Sequence, residues 1–567
     1  MNLLDWVVLL GTMLGIAAYG TWRTRHTNHL DDYLKGNRNT GWVTIGLSVM
    51  ATQASTITYL SRPGQAYDSG IAFVQNYFGL PLALIIICVV FLPIYRKLDV
   101  YTAYEFLGKR FDAKTRLLGA GLFLLQRGVQ SGVTVYAPAI ILSSVLGWHL
   151  DLTIIFTGLV VIIYTVTGGS AAVSLTQKWQ MAVIFGGMLT AFGILLSKLP
   201  SGSMAVAGAM GKLQAVDFSM DPNKRYTFWS GLFGGLFLSL SYFGTDQSQV
   251  QRYIGGAGLR EGRLGLMFNA VLKIPMQFFI VVIGALLFVY FQLQPDTPVF
   301  FNRAEWRRHA NGADAAKFQA IEARHAALHA AKAEKVSAWL ALRNSGDAPA
   351  LAKARTEMRT AQQAEDSARK EAKDALLAAD PRAKIKDSDY IFITFILSQL
   401  PHGAIGLLLA VMFASTLCSK AGELNALGAT TTIDLWRHFR PLAAHDEARN
   451  VRAAKWFTAF WGLFAMGFAL FASFAENLIE ALNIIASIFY GVLLGIFLVA
   501  FFLKRVGGTA VFVAALMAQT LVIVMYFTQN IGYLWYNVIG CAACVVLSMI
   551  LQAAFGSSGS SGRATPA

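Results

Sequence analysis

Two stretches of this sequence interrupt apolar runs with small and polar residues, and their chemistry suits an ion or a small polar solute. One is Ala51-Thr52-Gln53-Ala54-Ser55-Thr56-Ile57-Thr58, followed by Pro63, Gly64 and Gly70. The other is Ser239-Leu240-Ser241-Tyr242-Phe243-Gly244-Thr245-Asp246-Gln247. A helix broken inside an apolar segment frees backbone carbonyls that coordinate cations, and such backbone persists only where it lines a cavity. One interruption reads as polar glue between helices. Two, five spans apart, read as a binding site near the bilayer midplane.

Ionisable groups inside other apolar runs add to this set. Arg127 and Gln130 lie one helical turn apart, a spacing suited to holding a carboxylate through paired N–H donors. Lys273 sits in Leu272-Lys273-Ile274-Pro275, and Lys420 follows Ser419. Asp246 ends the second break, with Arg127 or Lys273 as its natural counter-charge. A charge within a span is costly, so each is a functional candidate. The Lys420 ammonium could occupy a cation site or carry a proton, and its competing role is snorkelling. Thr52, Gln53, Thr58, Tyr77, Tyr136 and Ser239 offer a polar wall. A phosphate-binding Gly-rich loop, a metal-ligand cluster and a nucleophile–base set are all missing from the sequence, which argues against an enzyme.

The elements that must position these residues are membrane spans. The chain has 567 residues, 55% hydrophobic and only 14% charged, with a mean hydropathy of +0.50. A soluble globular protein carries roughly a quarter charged residues, so most of this surface faces lipid. About thirteen apolar runs of spanning length fit between residues 3 and 555, among them 42–61, 152–167, 179–198 and 229–250. The net charge of +15 lies in the connections, as topology signals do, which argues against nucleic acid as partner. Arg23 and Arg25, Arg96 and Lys97, Arg252, Arg437, Lys504 and Arg505 make every odd-numbered exit basic. That pattern predicts an outside N-terminus and a cytoplasmic C-terminus in a multi-pass protein of the cell inner membrane. Leu3 to Gly20 reads as the first span, not a signal peptide, because its positive charges follow it. Cys88, Cys418, Cys541 and Cys544 all fall in apolar runs and imply no disulfide framework.

One block departs from the rest. From Phe301 to Lys384, 27 of 84 residues are charged, against 52 of the other 483. Phe318, Ile321, Ala327 and Leu328 recur at helical spacing, and Asn344-Ser345-Gly346-Asp347-Ala348-Pro349 is a turn signal. The organisation expected is a transmembrane domain over 1–300 and 387–555, interrupted at 301–386 by an extracytoplasmic helical hairpin. That hairpin is either a passive solvated insertion or an arm for a further partner. The Gly/Ser-rich residues 556–567 read as a disordered cytoplasmic tail.

Several of these stretches carry a resemblance. Tyr164-Thr165-Val166-Thr167-Gly168-Gly169-Ser170-Ala171-Ala172-Val173, Tyr242 through Arg252, Leu400-Pro401-His402-Gly403-Ala404-Ile405-Gly406-Leu407, and Glu423-Leu424-Asn425-Ala426-Leu427 running into Ile433-Asp434-Leu435 are similar to motifs of the sodium:solute symporter family. The similarity covers residues 3–505 apart from the charged block. It implies an all-α membrane protein with the LeuT-type 5+5 inverted-repeat bundle. It also implies a symporter that couples a solute to Na⁺ by alternating access, and the surplus of Arg127 and Lys273 over Asp246 points to a small polar, anionic solute.

Carried over by position, the sodium ligands are the carbonyls of Ala51, Ala54 and Ser415 and the side chain of Ser419. Cys418 stands where the family has a second hydroxyl, and Ala421 and Gly422 replace two serines. Gln177 replaces an acidic residue, so the resemblance implies one ion rather than two. Lys273 matches a lysine near the substrate in sugar-transporting relatives, Tyr242 the aromatic that closes the site, and Asp246 a position often held by Asn. Tyr136-Ala137-Pro138-Ala139 leans toward the branch handling vitamins, monocarboxylates, iodide and sialic acids. Two alternatives stay open. One is a proton-coupled or uncoupled carrier in which Lys420 or Lys178 replaces Na⁺. The other is a membrane solute sensor, although sensing relatives carry a kinase domain that this chain lacks up to Ala567.

Overall fold

The computed structural model describes residues 2–24, 41–53, 55–98, 100–254, 256–312, 314–343, 347–381, 383, 385–440, 447–471 and 478–555. Within them, the side chains of residues 13–14, 16–24, 167–180, 182–183, 411, 414, 418 and 447–448 are not described. The described residues form helices and connections, with no strand among them. Among the described residues, eight helices are long and apolar enough to cross a membrane. This is an integral membrane protein.

Helix α1 is Leu3–Thr24. The second apolar run is broken as its polar residues predict: α2, Trp42–Gln53, stops before α3, Thr56–Ser69, starts. After a 3₁₀ turn and short helices comes α4, Ala113–Leu146, capped by the Asp112 carboxylate on the Thr115 N–H and ended by left-handed Gly147 at φ +69°. Helix α5 runs unbroken over Leu150–Ser197, where the sequence reading placed two spans, 152–167 and 179–198. The Gly168-Gly169 pair does not open a loop. Glycine in a helix interior costs about 1 kcal/mol, and no proline or polar turn run follows to convert that cost into a break.

The second predicted break is present as well. Helix α6, Gly235–Gly244, and α7, Gln247–Ile254, flank Thr245 and Asp246. Helix α8, Leu259–Leu293, packs against both α2 and α3. Beyond the charged block lie α11, Ala404–Thr430; α12, Glu447–Phe471; α13, Leu478–Phe502; α14, Gly508–Thr528; and α15, Leu534–Phe555. Two apolar clusters fill the bundle, one around α3 and α8, the other around α13 and α15. Gly64 of α3 touches the turn at Ser388 so closely that a Cβ would collide with the Ser388 carbonyl.

The charged block is an antiparallel helix pair, α9 (Ala315–Leu342) and α10 (Ala348–Ala379). Its apolar stripe differs from the expected one: Phe318 and Ile321 are buried, Ala327 is exposed, and His325, His329 and Lys332 occupy the seam. Glu365 of α10 meets all three, at 3.2 Å from His325 Nε2, at 2.7 Å from His329 Nδ1, and in contact with Lys332. Nor is the pair a free arm. His329 Nε2 meets the Gln294 carbonyl at the end of α8 at 2.7 Å. Arg355 and Arg359 donate to the Ala209 carbonyl at 2.9 and 3.0 Å. Arg369 donates to Asp387 at 2.7 Å. Residues 344–346 of its turn signal, and the tail 556–567, lie outside the described residues.

The start of α1 lies at the same end of the bundle as the helix pair, for Asp5 accepts from the Gly403 N–H at 2.6 Å just before α11. Basic exits gather at the opposite end. There Arg110 donates to the Leu503 and Lys504 carbonyls at 3.1 and 2.9 Å, and Arg116 donates to Asp434 at 2.7 Å.

Candidate functional site

At the α2–α3 break, α11 presents hydroxyls to freed backbone. Ser419 Oγ donates to the Thr52 carbonyl at 3.1 Å. Ser415 Oγ lies 3.2 Å from Thr56 Oγ1, which also bonds to Thr416 Oγ1 and the Met412 carbonyl. Ala51, Ser415 and Ser419 are all buried here. The structure therefore brings two of the proposed sodium-binding residues, Ser415 and Ser419, against the α2–α3 break among hard oxygen donors, the ligand type that alkali cations favour. Ala54 and the side chain of Cys418 lie outside the described residues.

Between the two breaks is a cavity of about 130 Å³. Thr52, Gln53, Tyr77, Arg127, Gln130, Ser239, Tyr242 and Lys273 line it. Gln130 is held by its Nε2–H donating to the Leu482 carbonyl at 2.8 Å and its Oε1 accepting from Gln126 at 2.6 Å. Tyr242 accepts from Gln249 at 2.7 Å and carries the Arg127 guanidinium 5.5 Å from its ring centroid.

The charges on the cavity wall fall into two groups. Arg127 has its charge matched from within: it bonds to Asp246, donates to Tyr490 Oη at 2.8 Å and lies 3.6 Å from Glu423. Asp246 in turn accepts from Tyr490 at 2.6 Å and from the Ser248 N–H and hydroxyl at 2.9 and 2.6 Å. It sits behind Arg127 and does not line the cavity, so the carboxylate that Arg127 holds belongs to this chain. Lys420 is likewise satisfied, with its Nζ 2.6 and 2.8 Å from the Ser131 carbonyl and hydroxyl and 2.8 Å from Glu423. That ammonium faces α4, not the Ser415–Ser419 hydroxyls. Lys273 is different: its Nζ is buried, lines the cavity and has no hydrogen-bond partner among the described residues.

Two expected wall residues lie elsewhere. Thr58 is buried in the first turn of α3 and donates back to the Gln53 carbonyl at 3.1 Å. Tyr136 is buried on α4 beyond the cavity. The side chains of Gln177 and Lys178 lie outside the described residues. Sequence reasoning missed Arg62, Asn76, Glu423, Asn483 and Tyr490, all on the wall. Arg62 carried a legible signal as a charge within an apolar segment, but ending the second span at residue 61 left it one position outside.

Comparison with known proteins places this geometry. The family model for the sodium:solute symporter family matches residues 33–302 and 374–553. The chain belongs to that family. The match leaves out residues 303–373, which hold α9 and most of α10.

Among relatives, the human sodium/iodide cotransporter is 31% identical over 264 residues, 46% of this chain and 40% of its own length. The human sodium-coupled monocarboxylate transporter 1 is 33% identical over 276 residues, 47% and 45% respectively. The alignments thus span less than half of those two proteins. The sodium/sialic acid symporter SiaT of Proteus mirabilis (strain HI4320) is 24% identical over 97% of this chain and 95% of its own. A solved substrate-bound, outward-open structure of a Na⁺-coupled sialic acid symporter matches with a TM-score of 0.73 over 98% of both chains at 21% identity. The fold is the LeuT-type inverted-repeat bundle.

Proposed function

We propose that this member of the family is a secondary active symporter that imports a small anionic solute together with one Na⁺ by alternating access. The observation that carries the reading is Lys273, a buried ammonium on the cavity wall without a partner. An unpaired buried charge is expensive, and a bound anion would offset that cost. Coupling to sodium draws on family membership and on the cluster of Thr52 carbonyl, Ser415 and Ser419 at the α2–α3 break. Because Ser131 and Glu423 hold Lys420, its ammonium leaves those oxygens to an ion. One ion suits Ala421, Gly422 and Gln177, which lack the ligands for a second. Alternating access would rock the broken helices against the rest of the bundle around the site. The protein would lie in the cell inner membrane with its N-terminus and helix pair outside.

Initial uptake rates in proteoliposomes, with sodium or choline outside, test this reading. Uptake should rise hyperbolically with sodium, with a Hill coefficient near one, and Ser419→Ala should raise the half-saturating concentration. The rival carrier, in which Lys420 replaces the ion, would be indifferent to sodium and follow pH. Uptake of that kind would overturn sodium coupling.

A further inference from the structure

The cavity wall carries a second buried cation that the reading above does not use. Arg62 projects from α3, is 4% exposed, and stacks its guanidinium 5.0 Å from the Tyr77 ring centroid and 5.5 Å from that of Phe73. Its Nε and Nη1 have no hydrogen-bond partner, and it lies within Coulombic reach of Lys273. Neither cation has a carboxylate partner among the described residues. By contrast, Arg127 and Lys420 are matched by Asp246 and Glu423. Two positive charges therefore remain uncompensated at the side of the cavity formed by α3 and α8.

The unfilled hydrogen-bonding capacity of the wall is one-sided as well. Buried polar atoms there without a partner are Arg62 Nε and Nη1, Arg127 Nε, Lys273 Nζ, Gln53 Nε2 and Asn483 Nδ2, against a single acceptor, Asn76 Oδ1. Amide ends can be turned to present either atom. Guanidinium and ammonium groups only donate, so the excess of donors survives any rotation of the amides. A ligand that satisfies this wall must accept hydrogen bonds at several points and donate few. A polyol, which donates as often as it accepts, leaves donors unpaired; an amine adds charge of the wrong sign. Size narrows the class further. A cavity of about 150 Å³ holds benzene, so about 130 Å³ suits a solute of about six to nine heavy atoms.

We propose that the solute is a short dicarboxylate, with one carboxylate seated between Lys273 and Arg62, and that Arg62 sets the preference for two negative charges. The inference rests on the anion-symporter reading but can fail without it.

Thermal stabilisation of the purified full-length protein in sodium tests it, because a ligand that binds the folded state raises the melting temperature. The probes are succinate, its half-amide succinamate, the neutral polyol erythritol and the monoanion butyrate. Succinate should stabilise at a concentration about tenfold or more below succinamate and butyrate, since a hydrogen bond to a charged group is worth about that factor or more. Erythritol should have no effect. Arg62→Gln should raise the succinate requirement about tenfold or more, to the level of succinamate, while Arg62→Lys keeps the wild-type order. If Arg62→Gln does not fold, Lys273→Met takes its place, with the same loss expected.

Butyrate or succinamate binding as tightly as succinate would overturn the dicarboxylate inference and leave anion symport standing. The same holds if a folded Arg62→Gln keeps wild-type succinate binding. No response to succinate at all also overturns the inference. Stabilisation by erythritol alone would sink both readings.

Discussion

At the scale of residues, the cavity separates charges that hold the bundle together from charges left for a ligand. Arg127 belongs to the first kind. Its guanidinium is shared among Asp246, Tyr490 and Glu423, so it ties α4 to the α6–α7 break, α11 and α13. Removing one partner of a buried pair strands the other at a cost of about 3–5 kcal/mol. Arg127→Met should therefore lower the melting temperature markedly as well as abolish uptake. Arg127→Met combined with Asp246→Asn should recover part of the lost stability, because no carboxylate is then left bare. A double variant no more stable than the single would show that Asp246 is not the partner that matters. The sequence made Arg127, Lys273 and Asp246 visible, since charges in apolar runs stand out. It could not say which pair together, because the partners come from separate helices. Tyr490 and Asn483 gave no signal, being ordinary residues in an apolar run until the fold turns them toward α4 and α6.

At the scale of elements, both helix breaks were legible because small and polar residues replace apolar ones over a full turn or more. The continuous α5 was not, since Gly-Gly without a turn signal fits a helix and a loop alike. The helix pair was legible in outline only. Its seam is centred on His325, His329 and Lys332, which a hydrophobic-periodicity reading counts as surface, and their common partner Glu365 lies in the other arm. Burial there raises the Glu365 carboxyl, but His325, His329 and Lys332 outweigh it and hold it well below the usual range. A depressed carboxyl stabilises the fold above its unfolded value, about 4.3, and loses that contribution as pH falls toward its folded value. Glu365→Gln should therefore speed hydrogen exchange over 315–379 by a factor that is constant from neutral pH down to about pH 5 and shrinks below about pH 4. A factor that already shrinks between about pH 7 and 6 would mean that a histidine, not the carboxylate, controls the docking.

At the scale of the whole molecule, contacts at opposite ends of the bundle support the proposed orientation. Asp5 of α1 is bonded to the start of α11 on the side where the helix pair docks on Gln294 and Ala209. The basic exits, marked by Arg110 against Leu503 and Lys504, lie on the other side. Positively charged connections are retained in the cytoplasm, whereas long loops translocate largely regardless of charge. The net positive helix pair can therefore sit outside while the short basic loops stay inside. Single cysteines at Ala330 and Lys504 report on this, for both positions are exposed. Cys88, Cys541 and Cys544 are buried, and replacing Cys418 by Ala in both variants removes the fourth native thiol. A membrane-impermeant maleimide applied to intact cells should modify Ala330→Cys and spare Lys504→Cys, which reacts only after lysis. The reverse pattern would invert the molecule, and with it the direction in which solute and sodium first meet the cavity. Modification of both in intact cells would mean that the two positions share one side, which the packing of α1 against α11 and of Arg110 against Leu503 forbids.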